Sequence, residues 1–506
     1  MSLKKNVLAN YLGQAWSAIM SLAFVPLYIK YLGIEAYGLI GIFVMLQAWL
    51  SLLDMGMKPA LMREMARFTG GGLDVQSVWH LLRSIEIIAL GMAVLIGLGI
   101  LSASAWLANN WVQPDQLPMN VVVQAFALMG LVVAVRFVEN IYTNSIAGLQ
   151  RQVLQNAVTI VMATLRGFGS VVVLVYVSPT IEAFFVWQGV VSLATAVVFM
   201  AVVYKILPRP PRAARFSVPA LRKVWRFAAG MLSITFLALL LTQIDKIVLS
   251  QMLTLKVFGY YSLAAVVAGG LYIMTAPVAA AFYPRLTELV TRRDDLILRE
   301  AYHLGAQLVT VLMGSAAVIL IVFSERILLL WTADPELTRQ VAPTMSVLAL
   351  GTFLNCLMWI PYQLQLAHGW TSLSIRINTV AVVLLVPAIL WVVPIYGAIG
   401  AAWVWVTLNT GYLVFGIYFM HRRLLPTEKW LWYRQDIVIP LSATIAAALL
   451  CRWVIPIGLG RVSEFAVMIV GSGCVLIVAA VAAPLVRMQL AQHSADKFPA
   501  IFGKRS

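Results

Sequence analysis

Apolar windows about as long as a membrane-spanning helix recur along almost the whole chain, and they restrict what it can fold into. In lipid, only helices and closed barrels satisfy their own backbone hydrogen bonds. Of 506 residues, 62% are hydrophobic and 11% are charged, whereas soluble domains carry roughly a quarter charged residues. The first window is too long for a signal-peptide core and lacks a small-residue cleavage site, so we interpret it as a retained span. We therefore predict an all-α integral membrane protein with fourteen transmembrane helices, at 7–29, 36–57, 84–107, 119–146, 155–177, 183–204, 227–251, 258–283, 303–323, 340–367, 374–393, 397–420, 436–456 and 464–486.

The basic residues are concentrated on one side of this predicted topology. The formal net charge of +16 would by itself also suit a nucleic-acid-binding protein. With the N-terminus inside, however, 27 of the 36 Lys and Arg residues fall in cytoplasmic segments, and six fall outside or at the outer membrane edge. This bias follows the positive-inside rule, so we place both termini in the cytoplasm and expect no nucleic-acid partner. The remaining three basic residues, Arg136, Arg166 and Lys246, lie within spans.

A basic, proline-rich segment at 205–226 divides six predicted spans from eight. The spans on either side resemble each other: Tyr37-Gly38 lies 221 residues before Phe258-Gly259, and Arg63 lies 222 residues before Arg285. Weak similarity at half-length is typical of transporters built from repeated bundles, and six preceding spans give both repeats the same orientation. The predicted divisions are a six-helix bundle at 1–204, a cytoplasmic linker at 205–226, a second, pseudo-symmetric six-helix bundle at 227–420, two additional transmembrane helices at 436–486 and a cytoplasmic tail at 487–506.

Two segments carry the most specific sequence patterns. The first, at 31–67, contains Leu32-Gly33, Glu35, Tyr37-Gly38-Leu39, Leu52-Leu53-Asp54, Gly56 and Arg63-Glu64. The second contains Asp245-Lys246 and then Gly259-Tyr260-Tyr261-Ser262-Leu263-Ala264. Both resemble polysaccharide flippases, the O-antigen and capsule branch of the multidrug/oligosaccharidyl-lipid/polysaccharide exporter superfamily.

The resemblance implies a substrate and a direction of transport. The substrate would be undecaprenyl-diphosphate-linked oligosaccharide, moved from the cytoplasmic to the periplasmic leaflet of the bacterial inner membrane for O-antigen or related surface polysaccharide. Transport would proceed by alternating access through a cationic central cavity, driven by an ion gradient or by substrate turnover on the far side. Besides this substrate and membrane lipid, we expect a polysaccharide polymerase and glycosyltransferases as partners, and we expect the protein to be a monomer.

Ionisable residues within spans are the first candidates for a site, because each costs roughly 2.5–3.5 kcal/mol on insertion scales. Arg136 and Glu139 are spaced i,i+3 and either form an internal ion pair or place Arg136 in a cavity with Glu139 orienting it. Arg166 has no acidic neighbour on its own helix, so it either lines the cavity or pairs with another helix. Asp245 and Lys246 are adjacent and point about 100° apart, so we expect them to have separate partners or water rather than to pair with each other.

Polar residues at helical spacing supply further candidates. Asn10 and Gln14 belong to a polar stripe on the first span that suits either helix packing or the wall of a glycan groove. The predicted substrate-binding residues, for pyrophosphate and glycan, are Arg136, Arg166, Lys246, Arg63, Asn10 and Gln14, and the predicted ion-coupling or charge-pairing residues are Glu139, Asp245 and Asp54. Uncharged polar groups that suit a glycan more than an ion follow at Gln188, Gln243, Gln307, Asn355, Gln363, Asn378 and Asn409.

Several classes of chemistry have no pattern in the sequence. It contains no GxxxxGK[ST] phosphate loop, its five His and three Cys residues show no metal-ligand spacing, and no acidic catalytic loop is evident. We therefore expect no cofactor, no metal and no enzymatic activity. The alternatives are a lipid II flippase or an ion-coupled drug exporter of the same superfamily and, more remotely, a membrane-embedded enzyme of glycan assembly.

Overall fold

The structure is a computed structural model that describes residues 3–54, 56–456, 458 and 460–497. The last nine residues of the predicted cytoplasmic tail therefore lie outside the described residues. The chain divides into two compact units, Met1–Ser262 and Leu263–Ser506. Within the described ranges the protein is helical, and the β-type pairing consists of a single bridge between Gln113 and Thr254.

Nine helices lie wholly within the first unit, and a tenth begins there. They are α1 (Leu3–Ala23), α2 (Val25–Leu32), α3 (Ile34–Leu50), α4 (Met57–Thr69), α5 (Val75–Asn110), α6 (Met119–Gly148), α7 (Gln152–Tyr176), α8 (Ile181–Ile206), α9 (Val218–Met252) and α10 (Leu255–Gly269). A short 3₁₀ segment, Ser51–Asp54, follows α3.

The second unit contains twelve further helices and three π-helical segments. The helices are α11 (Leu271–Arg292), α12 (Asp295–Val309), α13 (Ser315–Val322), α14 (Ser324–Thr332), α15 (Pro335–Leu357), α16 (Trp359–Ala367), α17 (Ser372–Gly411), α18 (Ile417–Leu424), α19 (Lys429–Leu431), α20 (Ile439–Val454), α21 (Arg461–Ala482) and α22 (Pro484–Lys497). The π-helical segments are Thr310–Gly314, Tyr412–Gly416 and Trp432–Val438.

Thirteen helical stretches in the described residues are long and apolar enough to cross a membrane, so the all-α membrane architecture is confirmed. One of them, Ser372–Leu424, has 53 residues and covers two of the predicted spans. At 1.5 Å per residue it would measure about 80 Å if straight, far more than one crossing needs. It is interrupted at Gly397, whose φ of 60° and ψ of −147° are not helical. The count of fourteen spans and the cytoplasmic position of both termini stay predictions.

Helix starts follow from local capping chemistry. The side chains of Asp74, Thr180, Ser217, Asp294 and Asp334 each accept a hydrogen bond from a backbone N–H in the first turn of the helix that follows. Such caps satisfy donors that have no partner inside the helix. They place the starts of α5, α8, α9, α12 and α15 at fixed points of the sequence.

In the first unit, α6 is the central helix. It packs along α5 on one side and α8 on the other, while α1 packs on α7. Phe126 of α6 and Phe185 of α8 are almost completely buried, whereas Leu95 and Leu98 of α5 are mostly exposed, as expected for a lipid-facing surface. Charged residues of α6 are therefore carried into the interior of this bundle.

The sequence pattern at 31–67 forms a close helix crossing in the first unit. A Cβ on Gly38 would stand 2.5 Å from the carbonyl oxygen of Leu255, so only glycine fits at this distance. The buried carboxylate of Glu35 accepts three backbone N–H bonds, from Asp115 at 2.6 Å, Gln116 at 2.9 Å and Leu117 at 3.2 Å. Glu35 thus holds the loop between α5 and α6.

In the second unit, a continuous apolar core joins α11, α12, α15, α16 and α18 to the π-helical segment at 432–438. Tyr302, Ile417, Met420 and Trp432 are completely buried in it. A smaller cluster joins α13, α20 and α21 around Ala448 and Val475. This packing buries one face of α12 against the helices that follow it in sequence.

Candidate functional site

Arg136 lies on α6 and binds three neutral side chains from neighbouring helices. Its Nη1 donates to Oε1 of Gln47 at 2.6 Å, its Nη2 to Oε1 of Gln188 at 2.8 Å and its Nε to Oγ of Ser192 at 3.2 Å. The guanidinium carbon lies 4.9 Å from the centre of the Phe43 ring, a cation–π distance. The direct ion pair with Glu139 is absent from the contacts of the described residues, so that alternative is wrong.

Glu139 pairs instead with Arg166 of α7. Nη2 of Arg166 lies 3.5 Å from Oε2 of Glu139 and donates to Oγ of Ser192 at 3.4 Å. The alternative that Arg166 pairs with another helix is therefore correct. Ser192, which is completely buried, accepts from both arginines. The Nε of Arg166 is buried and has no hydrogen-bond partner among the described residues.

These residues form one network, which we call the arginine cluster: Gln47, Arg136, Glu139, Arg166, Gln188 and Ser192. Gln188 completes it by donating to Ser170 at 3.1 Å. The cluster contains two guanidinium groups but one carboxylate, which pairs with Arg166 alone, so it has an excess of positive charge inside a membrane-spanning bundle. The cluster is not sealed, since 27% of the Arg166 side chain and 15% of the Glu139 side chain remain exposed.

Asp245 and Lys246 on α9 each have a partner outside the pair. The hydroxyl of Tyr261 donates to Oδ2 of Asp245 at 2.6 Å, and Nζ of Lys246 donates to the carbonyl of Thr242 at 2.9 Å. However, Nζ of Lys246 also lies 3.6 Å from Oδ1 of Asp245. The prediction of separate partners is correct, but the prediction that the two do not pair is wrong, because the flexible lysine side chain reaches back along the helix.

Asp54 and Arg63 lie around the start of α4. Oδ1 of Asp54 accepts the backbone N–H of Gly56 at 2.8 Å, and its Oδ2 lies 3.3 Å from Nζ of Lys58. Asp54 therefore holds the turn before α4. Arg63 is about half exposed, with its Nε 3.8 Å from the buried carboxylate of Glu64.

Asn10 joins α1 to α7, and Gln14 does not take part in this contact. Nδ2 of Asn10 donates to Gln152 at 3.3 Å, and its Oδ1 accepts from Asn156 at 2.6 Å. These bonds fit the helix-packing alternative for Asn10. Gln14, one turn further on, is exposed.

A cavity of about 250 Å³ opens within the second unit, between α15, α16, α17 and the π-helical segment at 412–416. Tyr412 donates to Asn378 at 3.1 Å, and Asn355 donates to Asn409 at 2.7 Å. The cavity walls combine amides with aromatic rings, and their charge is zero. The lining includes Asn355, Gln365 and Asn378 among amides, and Trp359, Tyr362 and Tyr412 among aromatic residues.

Residues 3–290, more than half of the chain, match the sequence model of a protein family. That family is described as "Polysaccharide biosynthesis protein". The chain belongs to this family. A second sequence model, MatE, matches residues 231–391. The predicted resemblance to polysaccharide flippases of the exporter superfamily is thereby confirmed.

The relatives and structural neighbours of this chain are transporters and flippases by name. The chain is 19% identical over 413 residues to a Shigella flexneri protein named "Putative O-antigen transporter", covering 80% of this chain and 94% of the relative. Its fold is similar to that of the lipid II flippase MurJ in an inward closed conformation, with a TM-score of 0.68 and 12% identity over 96% of this chain and 99% of the other. It is also similar to the multidrug transporter DinF-BH, with a TM-score of 0.60 and 14% identity over 84% and 96% of the two chains.

Together these findings show that the chain is a multi-pass membrane transporter or flippase of that superfamily. Sequence reasoning named both arginines and Glu139 but missed Ser192 and Phe43, which contact Arg136 from other helices. A serine and a phenylalanine in apolar spans carry no pattern that distinguishes them from packing residues.

Proposed function

We propose that the protein is a flippase that moves undecaprenyl-diphosphate-linked glycan units from the cytoplasmic to the periplasmic leaflet of the bacterial inner membrane. Transport proceeds by alternating access past a cationic site and supplies surface polysaccharide synthesis. The observation that carries this proposal is the arginine cluster, in which Glu139 pairs with Arg166 while Arg136 has only neutral hydrogen-bond partners.

The positive excess of the cluster suits a diphosphate. A guanidinium group binds phosphate oxygens through paired N–H donors, and the bond is strong in a site of low polarity. Arg166 already has one buried donor without a partner, its Nε. Arg136 is held by neutral acceptors, so its charge is oriented without being cancelled by direct contact. An organic cation would need the opposite excess, which argues against a drug exporter.

The cavity in the second unit suits the uncharged part of the substrate. Amide groups exchange hydrogen bonds with sugar hydroxyls, and aromatic rings cover the apolar faces of sugar rings. The Nδ2 of Asn378 has no hydrogen-bond partner among the described residues, while its Oδ1 is occupied by Tyr412. The cavity therefore offers donors and flat apolar surface but no charge, as a neutral glycan requires.

Lys246, Arg63, Asn10 and Gln14 have supporting roles in this proposal. Lys246 and Arg63 supply positive charge along the path of the diphosphate, while Asn10 and Gln14 supply polar surface near the first span. Glu139, Asp245 and Asp54 pair with basic groups and are the candidates for ion coupling. Glycosyltransferases act before the flippase, and a polysaccharide polymerase acts after it. The flippase works as a monomer.

The test is complementation of a strain from which the gene has been deleted. Arg136→Ala and Arg166→Ala should each abolish surface polysaccharide while the protein remains in the membrane at normal amount, measured by immunoblot. Arg452→Ala is the matched control, because Arg452 is exposed and, among the described residues, hydrogen-bonds the carbonyl of Val322 alone. Unchanged polysaccharide with Arg136, Arg166 and Lys246 each replaced by Ala would refute the cationic site.

A second strain separates the two lipid-linked substrates. The wild-type chain is expressed in cells depleted of their lipid II flippase, and lipid II translocation is measured. We expect no rescue. Rescue there, with no restoration of surface polysaccharide in the deletion strain, would instead assign the lipid II function.

A further inference from the structure

A buried group of titratable side chains lies in the second unit, apart from both the arginine cluster and the cavity. α12 presents His303 and Gln307, spaced i,i+4, to Asp436 in the π-helical segment at 432–438. Asp436 is 0% exposed, Gln307 1% and His303 6%. π-helical turns are rare and are found frequently at functional sites.

Both ring nitrogens of His303 face carboxylates. Nδ1 lies 2.5 Å from Oδ2 of Asp436, and Nε2 lies 3.3 Å from Oε2 of Glu428. The second oxygen of Asp436 accepts from Nε2 of Gln307 at 2.9 Å, and Oε1 of that glutamine accepts the backbone N–H of Leu485 at 2.9 Å. The network thus joins α12 to the π-helical segment and to the start of α22.

This geometry requires a proton beyond those of a neutral imidazole. A neutral ring has one N–H and one bare nitrogen, whereas an ionised carboxylate can only accept. Glu428 also accepts hydrogen bonds from Arg299 and Thr427, which favour its ionised form. With an ionised Glu428 at Nε2, both ring nitrogens of His303 carry hydrogen, or the carboxyl of Asp436 is protonated and donates to Nδ1. Either way, one additional proton lies in the hydrogen bond between His303 and Asp436.

Charge balance leads to the same proton count. Nη1 of Arg299 lies 3.0 Å from Oε1 of Glu428, so the exposed end of the network is a neutral pair. With a neutral imidazole, Asp436 would be an uncompensated charge with no exposed surface, which is strongly unfavourable. The additional proton makes the row from Arg299 to Asp436 neutral overall.

The neighbouring histidine is satisfied differently. Nδ1 of His421 faces the carbonyl of Ile417 at 3.1 Å, and its Nε2 lies 3.2 Å from the hydroxyl of Tyr302. A neutral ring that donates from Nδ1 and accepts at Nε2 satisfies both contacts. Tyr433, a further titratable group near Tyr302, donates to the carbonyl of Leu413 at 2.6 Å. His421 is therefore an internal reference for the neutral state.

We propose that His303 and Asp436 form a buried proton-binding site whose bound proton fastens α12 to the π-helical segment at 432–438. Glu428 is the path to the surface, because its side chain is 11% exposed and its partner Arg299 is 45% exposed. The ligand is a proton. Gln307 links Asp436 to the start of α22 by accepting the backbone N–H of Leu485. This site is independent of the proposed substrate.

The test uses the full chain in lipid nanodiscs with ring-¹⁵N histidine. His303→Gln and His421→Gln assign the two signals. At pH 7 we expect His303 to have hydrogen on both nitrogens, or infrared spectra to show a carboxylic-acid band for Asp436, while His421 is neutral. In Asp436→Asn, an amide that can both donate and accept, His303 should have one protonated nitrogen and the band should be absent.

The wild-type spectra alone decide the proposal if the Asn variant does not fold. A bare nitrogen on His303 at pH 7, together with no carboxylic-acid band, would overturn it. So would an Asp436→Asn protein that folds and retains both protons on His303. Surface polysaccharide is not the readout, so failure here is distinguishable from failure of the flippase proposal.

Discussion

Gly38 and Gly259 make reciprocal contacts. Gly38 faces the carbonyl oxygen of Leu255, four residues before Gly259, and Gly259 faces that of Ile34, four residues before Gly38. A Cβ on Gly38 would stand 2.5 Å from the carbonyl oxygen of Leu255, and a Cβ on Gly259 would contact that of Ile34. The spacing of 221 residues relates both pairs, Gly38 to Gly259 and Ile34 to Leu255. The contact is reciprocal, as a local two-fold axis requires, and it supports the predicted internal repeat at the level of individual residues.

Alanine at either glycine should destabilise this crossing. Because the obstructing atom is backbone, the added methyl group forces the helices apart, and overpacking of this kind costs about 1–3 kcal/mol. Gly38→Ala and Gly259→Ala should lower the thermal unfolding midpoint by similar amounts in the same lipid. Gly99→Ala is the control, since no atom lies within 4 Å of its Cβ position. Equal midpoints for all three variants would contradict the close approach.

Glu35→Gln should loosen the loop at 112–118. The carboxylate accepts from three backbone N–H groups, whereas an amide nitrogen in place of either oxygen would face donors. A hydrogen bond to a charged group contributes about 1.5–3 kcal/mol, so we expect at least that loss. Limited proteolysis of the loop and thermal unfolding measure it. Glu336→Gln, at an exposed helix start, should change neither.

Single and double variants of the Arg166–Glu139 pair can distinguish an effect on stability from an effect on transport. Arg166→Ala leaves Glu139 in a bundle interior without its ion-pair partner, so it should lower the unfolding midpoint as well as abolish surface polysaccharide. The double variant Arg166→Ala with Glu139→Ala should regain much of the stability, since no unpaired charge remains. Its polysaccharide should stay absent, because the phosphate-binding charge is still missing. Recovery of polysaccharide in the double variant would show that Arg166 acts only on stability.

Asn378→Ala should weaken the glycan cavity without affecting the arginine cluster. One neutral hydrogen bond contributes about 1 kcal/mol, which corresponds to about a fivefold weaker interaction. We expect slower export of glycan at limiting substrate and normal export at saturation, measured as surface polysaccharide against substrate supply. Thr379→Ala is the control, since Thr379 is exposed and its hydroxyl donates to the carbonyl of Ile375, its one hydrogen bond within the part of the chain that the structure describes. A matching defect in both variants would argue against a role for the cavity.

The ionised carboxylate of Glu428 should stabilise the fold at neutral pH, and this contribution should be lost in acid. Burial raises its pKa, but hydrogen bonds from Thr427 and His303 and the charge of Arg299 outweigh burial, so the pKa lies below its ordinary value. A carboxylate of this kind stabilises the fold above its unfolded pKa of about 4.3, and the contribution is lost as pH falls through the lower folded pKa. Glu428→Gln should therefore be less stable than wild type at pH 7, with the difference shrinking below about pH 4. Glu300→Gln, an exposed neighbour, should follow the wild-type curve.

Much of the architecture could be predicted because lipid restricts the backbone to few solutions. Windows of apolar residues predict a membrane protein of many helical spans, and Gly38 and Gly259 belong to the two sequence patterns that resemble each other. The π-helical segments could not be predicted, because an i→i+5 turn depends on packing rather than on local residue preference.

The partners within each site were harder to predict than its charged members. Arg136 was identifiable as a charge at membrane depth, but its acceptors Gln47 and Gln188 are 89 and 52 residues away in sequence. Which side chains meet depends on the rotation of each helix, which one sequence does not reveal. His303 and Asp436, 133 residues apart, were missed for the same reason.

The backbone conformation at Gly397, where the long helical stretch is interrupted, suits an achiral residue better than an L-residue. Its φ of 60° and ψ of −147° are close to the mirror image of the polyproline II conformation, which is a minimum for a D-residue and strained for an L-residue. An L-side chain would have space here, since no atom lies within 4 Å of the Cβ position, but it would strain the backbone. The long apolar stretch at 372–424 can therefore change direction here only because the residue at the bend is achiral.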